Sequence, residues 1–157
     1  MSLAAKLKEY LEANNVQYNV LTHPRAYTAQ DVAAVAHVPG RALAKSVVVK
    51  ADDRFILAVL PAPRKVDLER LKAALGANDV RMAHEPEFAS LFPECELGAM
   101  PPFGNLYGLE VFADESLTLD DEIVFNAGTH VDAIRMKYGE FERLAKPKVA
   151  NFALSGD

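Results

Sequence analysis

Lys45 is the residue whose type and setting first suggest chemistry. It lies in the stretch "RALAKSVVVKADDRFILAVLPAP", residues 41 to 63. The apolar runs VVV and FILAVL flank the polar turn ADDR, the pattern of a β-hairpin whose strands are buried on most faces. Alternation along the strand puts Lys45 on one face with Val47 and Val49, and Ser46, Val48 and Lys50 on the other. A lysine so placed either lays its methylenes over the valines with its charge in water, or meets an anion as an ammonium, or, desolvated, serves as a neutral base. Other chemistries find little support. The histidines His23, His37, His84 and His130 show no short ligand spacing, so metal hydrolysis has no basis in the sequence. Neither a nucleotide phosphate loop nor a G-x-S-x-G nucleophile turn occurs. Cys95, the single cysteine, excludes an internal disulfide; a nucleophile paired with a distant histidine is one reading, but the flanking Glu94 and Glu96 oppose thiolate formation and favour a small packed or incidental residue.

Two further stretches fit no element interior. Residues 93 to 105, "PECELGAMPPFGN", hold three prolines and two glycines, which predicts a shaped loop. "NAGTH", 126 to 130, is a turn before a late strand.

These segments must be positioned by the rest of the chain. Leu3, Leu7, Tyr10 and Leu11 mark a first helix ended by Asn14 and Asn15, followed by a strand in VQYNVLT. Thr28 and Asp31 form the capping box of a second helix, with Val32, Val35 and Ala36 facing inward until Pro39 and Gly40 stop it. Asp67 caps a third helix closed by Gly76, and Pro86 opens a brief helix through Phe92. Strands are expected at LYGLEVFA, EIVFNAG and HVDAIRMKY, then a helix at EFERLAK ended by Pro147. The order predicts one α+β (mixed α/β) domain over residues 1 to 157, a mixed and largely antiparallel sheet flanked by helices.

The net charge of −5 over 157 residues argues against a general nucleic-acid coat, and no DNA partner is expected. A local basic stretch runs through Arg135, Lys137, Arg143, Lys146 and Lys148, against Glu140 and Glu142. It is the expected place for a few phosphate contacts, with a solvated helix surface as the plain alternative. No apolar run reaches the ~20 residues needed to span a bilayer, and MSLAAKLKEYLEANN carries charges where a signal peptide needs an apolar centre. The protein is therefore expected in the cytoplasm, without a membrane partner.

Taken together, the lysine in "AKSVVVK", the G-x-x-x-P loop in "GAMPPFG" and the late "FNAGTH" resemble the YbaK-like family, whose domain is also found inserted in bacterial prolyl-tRNA synthetases. The resemblance runs from the first helix to EFERLAKP. It implies an aminoacyl-tRNA deacylase that edits mischarged tRNA in trans, without cofactor or metal. By the resemblance, Lys45 matches the family's essential lysine, Gly98 and Pro102 frame a substrate loop that includes Ala99, Met100 and Pro101, and Gly128 and His130 lie in a second substrate segment. "GTH" favours alanyl-tRNA(Pro), with seryl, threonyl and cysteinyl esters as alternatives. The implied partners are the acceptor end of aminoacyl-tRNA and, transiently, a synthetase. The chemistry suits these residues. An aminoacyl ester is already activated, so hydrolysis needs a placed water, stabilisation of the oxyanion and a pocket for the wrong side chain. Lys45 is then phosphate anchor, oxyanion stabiliser or base, and His130 orders the terminal adenosine or limits pocket size. A binding module without turnover and a hydrolase of small esters are the rival readings.

Overall fold

The computed structural model describes residues 5–25, 28–93, 95–96 and 98–154. Helix α1 (Ala5–Ala13) buries Leu7 and Leu11 as the periodicity predicts, while Leu3 lies outside the described residues. Strand β1 (Tyr18–Thr22) leads to α2 (Ala29–Ala36), then β2 (Leu43–Ala51) and β3 (Arg54–Pro61) form the hairpin about Asp52 and Asp53. The chain continues through α3 (Leu68–Leu75), β4 (Val80–Met82), α4 (Glu85–Phe88), β5 (Glu110–Asp114), β6 (Glu122–Asn126), β7 (Asp132–Lys137), α5 (Tyr138–Ala145) and β8 (Lys148–Ala150).

The capping signals hold. Thr28 Oγ1 accepts the Asp31 amide at 3.1 Å, and Asp31 accepts the Thr28 amide at 2.9 Å. Asp67 accepts the amides of Glu69 and Arg70, and Gly76 closes α3 at φ 66°. Three expectations need correction. Val35 is 45 % exposed, and Val32, Ala33 and Ala36 are the buried residues of α2, because the helix lies over a narrow patch of sheet that accepts only that stripe. The same helix ends at His37, which takes a left-handed conformation at φ 60°, before Pro39 is reached. Residues Gly104–Tyr107 form a 3-10 turn, so the strand expected at LYGLEVFA begins only at Glu110. Strands β4 and β8, three residues each, are too short to leave an alternating pattern.

The sheet runs β1-β7-β6-β2-β3-β5-β8, with β4 also on β2. Pairs β1/β7, β2/β3, β2/β4 and β6/β7 are antiparallel, whereas β2/β6, β3/β5 and β5/β8 are parallel. One face carries the main core, where α1, α4 and α5 cover Val48, Leu57, Val59 and Phe125. The opposite face carries two smaller clusters. Val49, Ile56 and Leu60 pack under Leu71 of α3, and Leu43, Val124 and Ala133 pack under Val32 and Ala36 of α2.

The chain after β8 is anchored by a buried carboxylate. Asp114 accepts the amides of Phe152 at 2.9 Å and Ala153 at 2.8 Å, the Ser116 amide at 3.0 Å, and the Ser116 hydroxyl. Burial works against its charge, but these four donors prevail and hold its pKa below the ordinary aspartate value. Replacing Asp114 with alanine strands buried amides. The expected result is a loss of about 3 kcal/mol, read as a fall of ~6–12 °C in the thermal midpoint.

Candidate functional site

The edge of β2 changes partner along its length. It pairs with β6 only at Leu43 and Ala44, and with β4 only from Val49 to Ala51. Residues 45 to 47 have no rung on that side, so the sheet opens where Lys45 stands. Leu43, Lys45, Val47 and Val49 share one face. On it Leu43 belongs to the cluster under α2, and Val49 and Leu60, the hairpin partner of Lys45, belong to the cluster under α3. Lys45 therefore occupies the interval between two small cores. The half-buried side chain lines a cavity of about 360 Å³ shared with His23, Arg25, Thr28, Asn126 and His130, and with apolar Val32 and Ala62.

Each wall has a local cause. The His23 amide donates to Val131 O at 2.8 Å, which fastens the end of β1 to the turn before β7. Nδ1 of His23 lies 3.0 Å from Pro24 O, and because a carbonyl only accepts, Nδ1 is the donor. The turn from Ala127 to Asp132 is built around Thr129, whose hydroxyl donates to Asp132 at 2.7 Å and accepts the Asp132 amide at 3.1 Å. This holds the following residue, His130, in place.

The Gly98 loop is stitched to that turn. Gly128 N donates to Ala99 O at 2.9 Å, Glu96 N donates to Gly128 O at 2.7 Å, and the Glu96 carboxylate accepts the His130 amide at 2.7 Å. The same carboxylate pairs with Arg25. Glu96 thus joins three walls: loop, turn and the segment after β1. The His130 amide, followed by the Arg25 guanidinium, holds its pKa below the usual glutamate value. Gly98 and Gly128 both have positive φ, 85° and 99°, the conformation that glycine alone takes without strain. A Cβ on Gly98 would stand 3.4 Å from Cε1 of His130.

Of the residues singled out in the sequence, Lys45 and His130 reach the same cavity, and Gly98 packs beside His130. Gly128 lines an adjoining depression with Arg25, Cys95 and Glu96. Ala99, Met100, Pro101 and Pro102 are buried, so they shape the loop from behind and do not line the Lys45 cavity. His23, Arg25, Asn126 and Glu96 escape the sequence reading; the one available signal is Asn126, a polar residue ending the apolar run EIVF. Burial first, and then the neighbouring charge of Lys65, pulls the pKa of Lys45 below the ordinary lysine value. Lys45 makes no ion pair with any described residue. The Thr28 and His130 walls, a cation without an ion pair and, among the described residues, no carboxylate in the lining describe a pocket for a small ligand that carries or develops negative charge.

Comparison with known proteins gives the class of protein to which this fold and cavity belong. The aminoacyl-tRNA editing domain matches residues 23–144, and the chain belongs to that family. It is 31 % identical over 155 residues to the multifunctional Ser/Thr-tRNA deacylase ProXp-y of Escherichia coli K12, covering 94 % of this chain and 90 % of that one. It is 34 % identical over 95 residues to a proline–tRNA ligase of Bacillus subtilis, covering 60 % of this chain but only 16 % of the ligase. A solved structure described as a candidate trans-editing enzyme for prolyl tRNA synthetase superposes with a TM-score of 0.84 at 22 % identity, covering 98 % of this chain and all of that one.

The contact between Gly98 and His130 generates a direct test. Gly98→Val places a branched side chain at positive φ and against the imidazole. The strain of about 1–2 kcal/mol should leave the protein folded by circular dichroism. Displacement of the loop and of His130 should lower single-turnover deacylation roughly 10–100-fold.

Proposed function

We propose that residues 1–157 act as one cytoplasmic editing domain that hydrolyses the ester of tRNA charged with a small wrong amino acid, seryl and threonyl ahead of alanyl. The acceptor end enters the Lys45 cavity, and any contact with a synthetase is transient. Water adds to the ester carbonyl, the bond to the ribose oxygen breaks, and free amino acid and tRNA leave. The atoms balance with water alone.

The observation that carries this reading is the half-buried Lys45, without an ion pair among the described residues, in the wall of a cavity with polar groups. An ammonium there is a fixed cation aimed at where negative charge develops on the carbonyl oxygen, and it needs no rearrangement when the charge appears. No described lining residue is a carboxylate, so the positive field of the ammonium falls undiminished on the substrate, and we assign Lys45 this role in preference to base. His23, Thr28, Asn126 and His130 supply hydrogen-bonding groups around the same space. A site lined for hydrogen bonding discriminates strongly in favour of a substrate hydroxyl. That argument moves the preference from the alanyl ester suggested by "GTH" towards seryl and threonyl esters, in keeping with the named activity of the Escherichia coli relative.

The test is single-turnover deacylation of seryl-, threonyl-, alanyl-, cysteinyl- and prolyl-tRNA. Seryl- and threonyl-tRNA should react fastest and prolyl-tRNA should be spared. Lys45→Ala should slow the reaction by about 10²–10³-fold without unfolding the protein, the usual scale for removing one such donor. Near wild-type turnover by folded Lys45→Ala would defeat the assignment. The pH profile follows from the sign of the shift: the ammonium is the active form, so catalysis over the uncatalysed rate should fall as pH rises through a pKa below the ordinary lysine value.

A further inference from the structure

The basic groups of this chain are unevenly committed. Seven of its eight arginines pair with carboxylates, and Arg64 makes no ion pair with any described residue. The stretch from Arg135 to Lys148, the expected phosphate face, is largely neutralised: Arg143 holds Glu140 at 2.9 Å, Lys148 holds Glu110 at 2.6 Å, and Arg135 lies 3.8 Å from Glu122 and donates to Ala36 O. Lys137 lines a groove with Asp121, Glu122 and Glu140.

Arg64 and Lys65 are placed differently. Strand β3 ends at Pro61, one register step beyond Leu60, the partner of Lys45. Ala62, a wall of the cavity, donates its amide to Leu43 O at 2.7 Å, so the chain folds back across the start of β2. The Arg64 amide donates to Pro61 O at 3.0 Å and closes the turn. Leu154 N to Lys65 O and Asp67 N to Phe152 O, each 2.7 Å, pin its far side to the segment anchored by Asp114. Pro61 and Pro63 fix two φ angles within it. The turn is therefore held in shape beside the cavity, with an exposed Lys65 and a half-buried Arg64. Arg64 lines a groove with Arg70, Asp114 and Glu115; the carboxylate of Asp114 is occupied by backbone amides and the Ser116 hydroxyl, and Arg64 makes no ion pair with either acid. Lys65 is close enough to Lys45 for its charge to disfavour the second ammonium. Adjacent cations that, like Arg64 and Lys65, make no ion pair among the described residues are stabilised by an anion between or beside them.

We propose that Arg64 and Lys65 form a phosphate-binding rim, which takes the sugar–phosphate backbone of the single-stranded tRNA 3′ end as it leaves the Lys45 cavity. The assignment rests on the deacylase reading and adds where the RNA runs. It replaces the stretch from Arg135 to Lys148 as the place of the phosphate contacts. Arg64 supplies a planar fork suited to phosphate oxygens, and Lys65 supplies a mobile point charge.

The experiment compares wild type, Arg64→Ala/Lys65→Ala and Lys137→Ala/Lys146→Ala on three probes: seryl-tRNA, 2′(3′)-O-seryl-adenosine and uncharged tRNA. The rim variant should raise KM for seryl-tRNA about tenfold with kcat within about twofold. It should weaken binding of uncharged tRNA in parallel and flatten the log–log salt slope by roughly 1–1.5, about 0.7 for each single-strand phosphate that is no longer neutralised. Seryl-adenosine lacks those phosphates, so its kcat/KM should change far less. The Lys137/Lys146 variant should match wild type throughout. The rim is wrong if KM, tRNA affinity and salt slope are unchanged in its variant, if the weakening occurs in the Lys137/Lys146 variant instead, or if seryl-adenosine suffers equally. A wild type that binds tRNA through Arg64 and Lys65 but cleaves neither ester would overturn the deacylase reading and leave the rim standing.

Discussion

The site depends on one constraint: a single edge of β2 cannot serve β6 and β4 at once. It pairs with β6 at Leu43 and Ala44 and with β4 from Val49 onward, and the interval between them is where Lys45 emerges. An apolar side chain there would merge the clusters under α2 and α3 into one core. A lysine keeps them apart, because burying its charge without a partner costs far more than its methylenes gain. The cavity is thus a consequence of strand pairing and of the residue at the point where pairing lapses.

The polar stitching around the cavity performs a second task, rigidity. Glu96 and Thr129 accept backbone amides of the turn, and Asp132 accepts the hydroxyls of Thr129 and of Thr22 at the end of β1, so short side chains and main chain hold loop, turn and strand together. A hydrolase that relies on position and charge, with no covalent intermediate, needs walls that do not adjust as charge develops. The buried prolines and Met100 behind the Gly98 loop serve the same end: they contribute packing where the sequence suggests substrate contact.

Much of this is legible in the chain, for identifiable reasons. The hairpin, the caps of α2 and α3 and the irregular loop announce themselves through turn residues and periodicity, which are local. Lys45 is visible because it interrupts an apolar run, and His130 and Gly98 because they sit in turns whose residue types resemble a known family. The cavity's remaining members are not. His23, Arg25 and Asn126, with Glu96 behind them, converge only through long-range pairing of β1 with β7 and of the loop with the turn, and apart from Asn126 at the end of the apolar run EIVF nothing local marks them. The same limit explains the basic stretch from Arg135 to Lys148, where charge along the chain does not reveal that Glu110 and Glu122 lie opposite Lys148 and Arg135. Val35 fits the helical stripe by spacing alone, but spacing does not say how narrow the helix's seat on the sheet is.

The central claim is that the gap beside β2 receives the aminoacyl group with its carbonyl oxygen at Lys45. A crystal structure of the protein with 3′-serylamino-3′-deoxyadenosine, an amide that resists hydrolysis, tests it most directly. The account predicts the seryl carbonyl oxygen within hydrogen-bonding distance of Lys45 Nζ, about 2.7–3.2 Å, and the seryl hydroxyl among His23, Thr28, Asn126 and His130. The analogue seated in the groove lined by Tyr10, Asn14, Arg143 and Leu144, or in the Lys45 cavity with its carbonyl turned away from the ammonium, would contradict it.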